Sequence, residues 1–229
     1  MIDIVIPYRT SKTDELKYTL RAVDRHLEHG KIVIVGDIPD WVQNALTIPT
    51  ERSTHKHQLD CELNIRAALP YLSDEFYLFN DDFILLKPLE DIPNYHEGDI
   101  DDVVKIKARS IVTSNVAKKL INTRAFLHSK GVEYPVAYTL HIPVKYKRDN
   151  YQRCSDLILP TLKRTDILPR TIYGNLYGNS SVIHKDVKIY TKDQPLPDDD
   201  FVSTWENSWD GIAGDSIRAM FSDKSRYEV

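Results

Sequence analysis

The sequence predicts an α/β protein: a central, mostly parallel, Rossmann-like sheet flanked by helices in a single compact domain. Three observations carry this. Two short apolar, β-prone runs at residues 2–6 and 31–36 bracket a stretch of helical periodicity, which is the βαβ pattern. A third apolar run, residues 75–86, is interrupted by Asn80-Asp81-Asp82. At 229 residues, with 41% hydrophobic and 28% charged, the chain can bury a core and lacks the composition of a disordered protein.

Residues 2–6 read as a buried strand and 7–12 as the loop after it. Thr13 is placed to cap a helix whose first turn carries Asp14 and Glu15, where carboxylates favour the dipole. Leu16, Leu20, Val23 and Leu27 recur at helical spacing and give that helix one apolar face; Gly30 ends it. The strand at 31–36 completes a βαβ unit with a parallel, right-handed crossover. Residues 40–45 read as a short helical turn and 46–48 as a third strand. Residues 57–72 read as a helix with Leu59, Leu63, Ala67 and Leu72 inward. The first ninety residues thus have the layout of a nucleotide-binding half, whose ligands sit beyond the carboxyl ends of the strands.

Residues 90–107 read as acidic and irregular, 112–129 as a helix, and 134–144 as extended, punctuated by Pro135 and Pro143. Residues 150–162 read as a helix broken by Pro160. Residues 173–179 are turn-rich, 187–190 form a short strand, 195–200 a loop and 212–221 a closing helix. No internal repeat or low-complexity tract is present.

The net charge of −4 argues against a broad nucleic-acid-coating surface and leaves a local basic groove open. Cys61 and Cys154 lack metal-type spacing and read as free, buried thiols in a reducing compartment. The N-terminus enters a strand directly, without the pattern of a signal peptide, and no stretch has the length of a membrane span. The expected location is the cytoplasm.

A buried strand does not carry adjacent carboxylates cheaply. Asn80, Asp81 and Asp82 are therefore expected at a strand end that opens into a site, where oxygen ligands suit Mg²⁺ or Mn²⁺ and a pyrophosphate substrate. A polar hairpin turn would use the same residues. His141, on an extended segment fixed by Pro143, has the chemistry of a general base or of a structural histidine. Arg170, Arg21 and Arg9 can each fork onto a phosphate or form a surface ion pair. Lys56, Asp60 and Asn64 share a helix face that suits a base or sugar, or plain solvent. Trp205-Glu206-Asn207 echoes Asn80-Asp81-Asp82. No Gly-rich phosphate loop, nucleophile elbow or paired zinc ligand set is present.

In order along the chain, Ile2-Asp3-Ile4-Val5, Asp14 to Arg21, Ile38-Pro39-Asp40-Trp41, Phe76 to Phe83, His141-Ile142-Pro143, Arg170 and Phe201 to Asn207 resemble the four blocks of the Stealth family. That family comprises capsule-polymer hexose-1-phosphate transferases and the N-acetylglucosamine-1-phosphotransferase of lysosomal enzymes. Pro7-Tyr8-Arg9-Thr10 stands where the family has Trp-Val-Asp/Asn-Gly, and Trp205-Glu206-Asn207 where it has Asn-Asp-Asn. The strand and carboxylate layout is also similar to GT-A glycosyltransferases, with Asn80-x-Asp82 in place of Asp-x-Asp.

The resemblance implies a GT-A-like fold, with residues 1–90 binding a nucleotide sugar and 91–229 supplying acceptor and catalytic groups. It implies Mg²⁺ or Mn²⁺ on Asp81, Asp82 and Glu206. Asp82, His141 and Arg170 would be catalytic; Arg9, Arg21, Asn64, Asn80 and Asn207 would bind substrate. A sugar-1-phosphate or a sugar would move from a nucleotide-sugar donor to an acceptor hydroxyl. The acceptor would be a glycan or, alternatively, hydroxylated bases of viral DNA, with Lys145, Lys147, Arg148 and Arg153 as a basic strip. A module that binds sugar nucleotides or glycans without turnover is the reading of a different class.

Overall fold

The computed structural model describes residues 1–51, 56–178 and 182–229. The chain opens with β1 (Asp3–Tyr8), α1 (Glu15–His26), β2 (Ile32–Gly36), β3 (Leu46–Pro49), α2 (His57–Ala68) and β4 (Glu75–Leu78). It continues through β5 (Phe83–Leu85), β6 (Tyr95–His96), α3 (Ile100–Lys107), α4 (Ser114–His128), β7 (Val144–Lys147), α5 (Arg148–Leu162) and α6 (Pro169–Tyr177). It closes with β8 (Val182–Ile183), β9 (Lys188–Ile189), β10 (Phe201–Thr204), α7 (Glu206–Trp209) and α8 (Ile212–Met220).

The central sheet has five strands in the order β3-β2-β1-β4-β7. All pairings are parallel except β4 with β7. From β1 the chain first builds outward to β2 and β3, then crosses back to place β4 on the other side of β1. The strand order therefore reverses between β1 and β4, and a crevice forms at that switch point in such sheets.

The inner strands β1, β2 and β4 are largely apolar because both faces are covered, while the edge strands β3 and β7 carry exposed residues. Ile4, Ile6, Ile32, Ile34, Tyr77 and Phe79 face one core, with Leu16, Leu20 and Val23 of α1 and Ile217 of α8. Val5, Val33, Val35, Phe76 and Leu78 face the other, against α2 to α6. The two-residue alternation of strand side chains sorts the sets, and each fully buried aliphatic contributes about 1.5–3 kcal/mol.

A second sheet, β5-β10-β9, lies at the end of β4. Ser203 of β10 pairs with Phe83 of β5 on one side and with Lys188 of β9 on the other. This register sets Lys188 beside the Asn80-Asp81-Asp82 turn.

Several elements differ from their sequence reading. Asp14, not Thr13, is the N-cap residue of α1, and Thr13 Oγ1 instead donates to Glu15 Oε2 (2.6 Å). α1 ends at His26 because Leu27 turns extended and bridges to Leu89; Gly30 serves a close approach, since a Cβ there would lie 2.3 Å from Asp3 Oδ1. Residues 40–45 make turns and no helix, with Asn44 at φ 56°. α2 buries Leu59, Glu62, Ile65 and Ala68 rather than Leu63 and Ala67, because Glu62 Oε2 accepts the Tyr151 hydroxyl (2.9 Å) inside the fold.

The acidic stretch before Lys107 is the first turn of α3, where Asp99 caps the amides of Asp101 and Asp102. Pro160 sits in the last turn of α5 and does not break it. Residues 173–177 belong to α6, started by Pro169 at its first turn, while Asn179 lies outside the described residues. Among the described residues no helix is long and apolar enough to cross a membrane. Both cysteines are free thiols, Cys154 buried and Cys61 half-buried.

The last residues close the first half of the chain. Arg21 Nε and Nη2 donate to the two Glu228 carboxylate oxygens (2.8 and 2.7 Å), and the amide of Val229 donates to Trp41 O (3.0 Å).

Candidate functional site

A cleft of about 500 Å³ opens beyond the ends of β1, β2 and β4, at the switch point. Gly36 forms part of its floor at φ +123°, and a Cβ there would meet Tyr8 O at 2.2 Å, so only glycine fits. The loop after β1 is held by the Thr10 amide donating to Asp37 Oδ2 (2.8 Å), which leaves Arg9 and Lys12 exposed on the cleft wall. The opposite wall is the N-terminal part of α2. There Asn64 Oδ1 accepts from Thr50 Oγ1 (2.7 Å). Asn80, Asp81 and exposed Glu206 complete the lining. The structure thus brings Arg9, Asn64, Asn80, Asp81 and Glu206 to one cavity.

A second cleft of about 270 Å³ shares His57, Cys61 and Asn80 with the first. His141 lines it. Its Nδ1 lies 2.9 Å from Asp186 Oδ1, and that same oxygen accepts the His141 backbone amide (3.1 Å). With Nδ1 engaged by a carboxylate, the lone pair available to a ligand is on Nε2. Burial alone would raise the Asp186 carboxyl. The hydrogen bond and charge of His141, with Lys107 behind it, outweigh that and hold it below the usual carboxylate range. Lys107 Nζ bridges onward to Glu97 (2.9 Å), whose carboxyl burial pushes up despite that lysine.

Arg170 binds the segment that carries His141. One guanidinium nitrogen donates to Leu140 O and Ile142 O (3.2 Å each) and another to Asn80 Oδ1 (3.3 Å), while the group packs over the Phe83 ring at 5.2 Å. It clamps the backbone on either side of His141 to the turn after β4, at the junction of the two clefts. Phe83, Tyr138, Tyr146, Tyr151 and Tyr190 supply apolar and aromatic lining.

The acids after β4 are not equivalent. Asp82 is buried; its Oδ2 receives Lys188 Nζ (2.5 Å) and the Ser203 hydroxyl. Lys188 Nζ also donates to Thr204 O. Among the described residues Asp81 has no such ion-pair partner. Burial, then the charges of Asp82 and Glu15, push its carboxyl up to about 7. Glu15 is raised by burial and by Asp82, offset by hydrogen bonds from Thr13 and Thr204.

These residues do not fit the divalent cation expected of them. One Asp82 oxygen, Oδ2, already holds an ammonium group, and Glu206 lies exposed at the start of α7. Among the described residues, no group of three or more His, Cys, Asp or Glu side chains is arranged to hold a metal ion.

Other expected residues lie elsewhere. Arg21 is committed to Glu228 and to Phe221 O (2.8 Å) and does not line either cleft. Asn207 lines a neighbouring depression with Asp14 and Arg218, which shares Lys12 and Glu206 with the first cleft. Lys56 Nζ donates to Lys163 O (2.9 Å), while Asp60 and Asn64 line the first cleft. Most of the basic strip is neutralised, since Lys145 pairs with Asp91, Lys147 with Glu75 (3.9 Å) and Arg148 with Asp74 (2.6 Å).

Asp186, Lys107, Glu97, Lys188 and Glu15 belong to the site without having been singled out. Asp186 and Lys188 sit in a short polar stretch whose importance comes only from pairing over long sequence distances. Glu15 reads as a helix-dipole residue because it is one; its contact with Thr204 is tertiary.

No family model matches the sequence, and no curated protein matches it. Two solved structures of the glycosyltransferase GlyE from Streptococcus pneumoniae TIGR4 are similar at 13% identity. One has a TM-score of 0.44; the other, the apo form, 0.40. Each comparison covers 80% of this chain and 45% of that one, so the chain spans less than half the length of these proteins.

Proposed function

We propose that the protein is a transferase that binds a nucleotide sugar in the first cleft and an acceptor hydroxyl in the second. The observation that supports this most is the junction of the clefts. A polar cavity at the switch point meets an aromatic one that contains a carboxylate-oriented histidine, with Asn80 common to both.

In this reading Arg9 and Lys12 neutralise the donor's phosphates, and Asp37, Asp60 and Asn64 offer polar groups to sugar and base. The aromatic wall of the second cleft packs the acceptor. His141 Nε2 takes the proton from the acceptor hydroxyl, and Asp186 steadies the imidazolium that results. The oxygen then attacks the donor. Attack on phosphorus breaks the bond to a nucleoside monophosphate and transfers sugar-1-phosphate, as in the Stealth chemistry the sequence resembles. Attack on the anomeric carbon breaks the bond to a nucleoside diphosphate and transfers the sugar alone. Arg170 keeps His141 in register with the turn after β4, and its charge at the junction favours the departing phosphate.

The test pairs binding with product identity. Calorimetry against a panel of sugar nucleotides is expected to find a donor that binds, with weaker binding in Asn64→Ala. Mass spectrometry of the incubated mixture, with glycan acceptors present, is expected to show a released nucleotide. A monophosphate supports phosphoryl transfer and a diphosphate supports glycosyl transfer. Binding without release in any mixture would make the protein a sugar-nucleotide binding module, and no binding of any donor would overturn the assignment.

A further inference from the structure

Asp82 is one of the carboxylates that the resemblance assigns to a divalent cation, yet its immediate partner is a side chain. Lys188 reaches it from β9, 106 residues along the chain, and both side chains are nearly buried at 13% and 12% exposure. The contact is built. Ser203 pairs in register with Lys188 on one side and Phe83 on the other, and it donates its hydroxyl to the same Asp82 oxygen. Thr204 O accepts a second ammonium hydrogen, so Lys188 is fixed between a carboxylate and a carbonyl. Three sequence-distant elements converge to hold one positive charge against the turn that lines the donor cleft.

We infer that Lys188 is the resident cation of the Asn80-Asp81-Asp82 turn, occupying the place of a divalent metal, and that donor cleavage proceeds without bound metal. This rests on the transferase reading above. An ammonium hydrogen-bonded to a buried carboxylate supplies the same sign of field as a metal ion at that point. It also removes the cost of an uncompensated buried anion, which would otherwise favour metal uptake. The charges that meet the departing phosphate are then those of Arg9, Lys12 and Arg170, already in the lining of the two clefts.

The test is a Mn²⁺ titration of the wild-type protein followed by water-proton relaxation, alone and with a saturating nucleoside diphosphate. No protein-dependent Mn²⁺ site is expected in either case, and donor turnover, where present, is expected to survive excess EDTA. In Lys188→Ala the vacated carboxylate is expected to take up Mn²⁺, and adding Asp82→Asn is expected to abolish that uptake. An Asp82-dependent Mn²⁺ site in the wild type, or turnover abolished by EDTA and restored by Mn²⁺, would overturn the proposal. If no donor turns over, the transferase reading fails while the wild-type titration still decides the question of the cation. The same titration decides alone if Lys188→Ala does not fold.

Discussion

His141 and Asp186 share two hydrogen bonds through one carboxylate oxygen: Oδ1 lies 2.9 Å from the imidazole Nδ1 and 3.1 Å from the backbone nitrogen. The carboxylate fixes both the ring and the peptide that carries it. Such a partner sets the tautomer and steadies the protonated ring. His141→Gln is expected to lower kcat by about 10²–10⁴-fold, the usual worth of a general base. Asp186→Asn preserves the shape and removes the charge. It is expected to lower kcat by at least about tenfold with KM little changed, and to shift the pH-rate profile of the base. A loss confined to KM, with an unmoved profile, would show that Asp186 serves the fold only.

Asp81 predicts a stability that falls as pH rises. Its carboxyl is raised to about 7 by burial and by the charges of Asp82 and Glu15. The folded chain therefore holds a proton that the unfolded chain releases above about pH 4. The contribution is fully present below that value and is lost as pH climbs through about 7. Asp81→Asn removes this residue's share of the dependence. It is expected to match the wild type near pH 4 and to melt higher at pH 8, by roughly 2–4 °C for each kcal/mol recovered in a domain of this size. Thermal melts across pH check this, and an unchanged slope would contradict it.

Arg21 and Glu228 form a largely buried pair at 11% and 4% exposure. Burial alone would raise the Glu228 carboxyl, but the Arg21 hydrogen bonds and charge outweigh it and lower the value. Arg21→Ala strands that carboxylate and is expected to cost about 3–5 kcal/mol. Arg21→Met combined with Glu228→Leu is expected to recover most of the loss. Urea titrations measure both, and donor calorimetry on the double variant is expected to match the wild type, since neither residue lines a cleft.

Gly36 and Gly98 separate two costs of adding a methyl group. Both have positive φ, but a Cβ at Gly36 meets Tyr8 O at 2.2 Å, whereas one at Gly98 meets nothing within 4 Å. Gly98→Ala is expected to cost about 1 kcal/mol or slightly more, from backbone conformation alone. Gly36→Ala is expected to cost more and to weaken donor binding, because it displaces the cleft floor. Equal losses in the two variants would place the floor elsewhere.

The parts of this fold legible in the sequence are those fixed by local pattern. The apolar runs of β1, β2 and β4, the stripe on α1 and the break at Asn80 place the cleft before any tertiary contact is known. α3 was also legible in principle, because Asp99 two and three residues ahead of Asp101 and Asp102 is an N-terminal cap signature. Its acidity drew the reading toward a loop. What was not legible depends on closure over distance. Nothing near Arg21 indicates that Glu228 neutralises it, and nothing near Asp82 indicates Lys188. A charge on an exposed-looking segment reads the same whether it meets solvent or a buried partner, so the ionic logic of the site required the ladder β5-β10-β9 to be seen.

The attachment of the C-terminal residues to α1 and to the loop after β2 bears on how the protein is made. The ribosome delivers β1, α1 and β2 first, yet Phe201, Trp209, Ala213, Ile217 and Phe221 belong to the core into which α1 buries its apolar face, and Arg21 finds its counter-charge at Glu228. Until those residues emerge, part of the apolar surface of α1 stays uncovered. A nascent chain stalled before residue 201 would therefore be a target for chaperones and proteases.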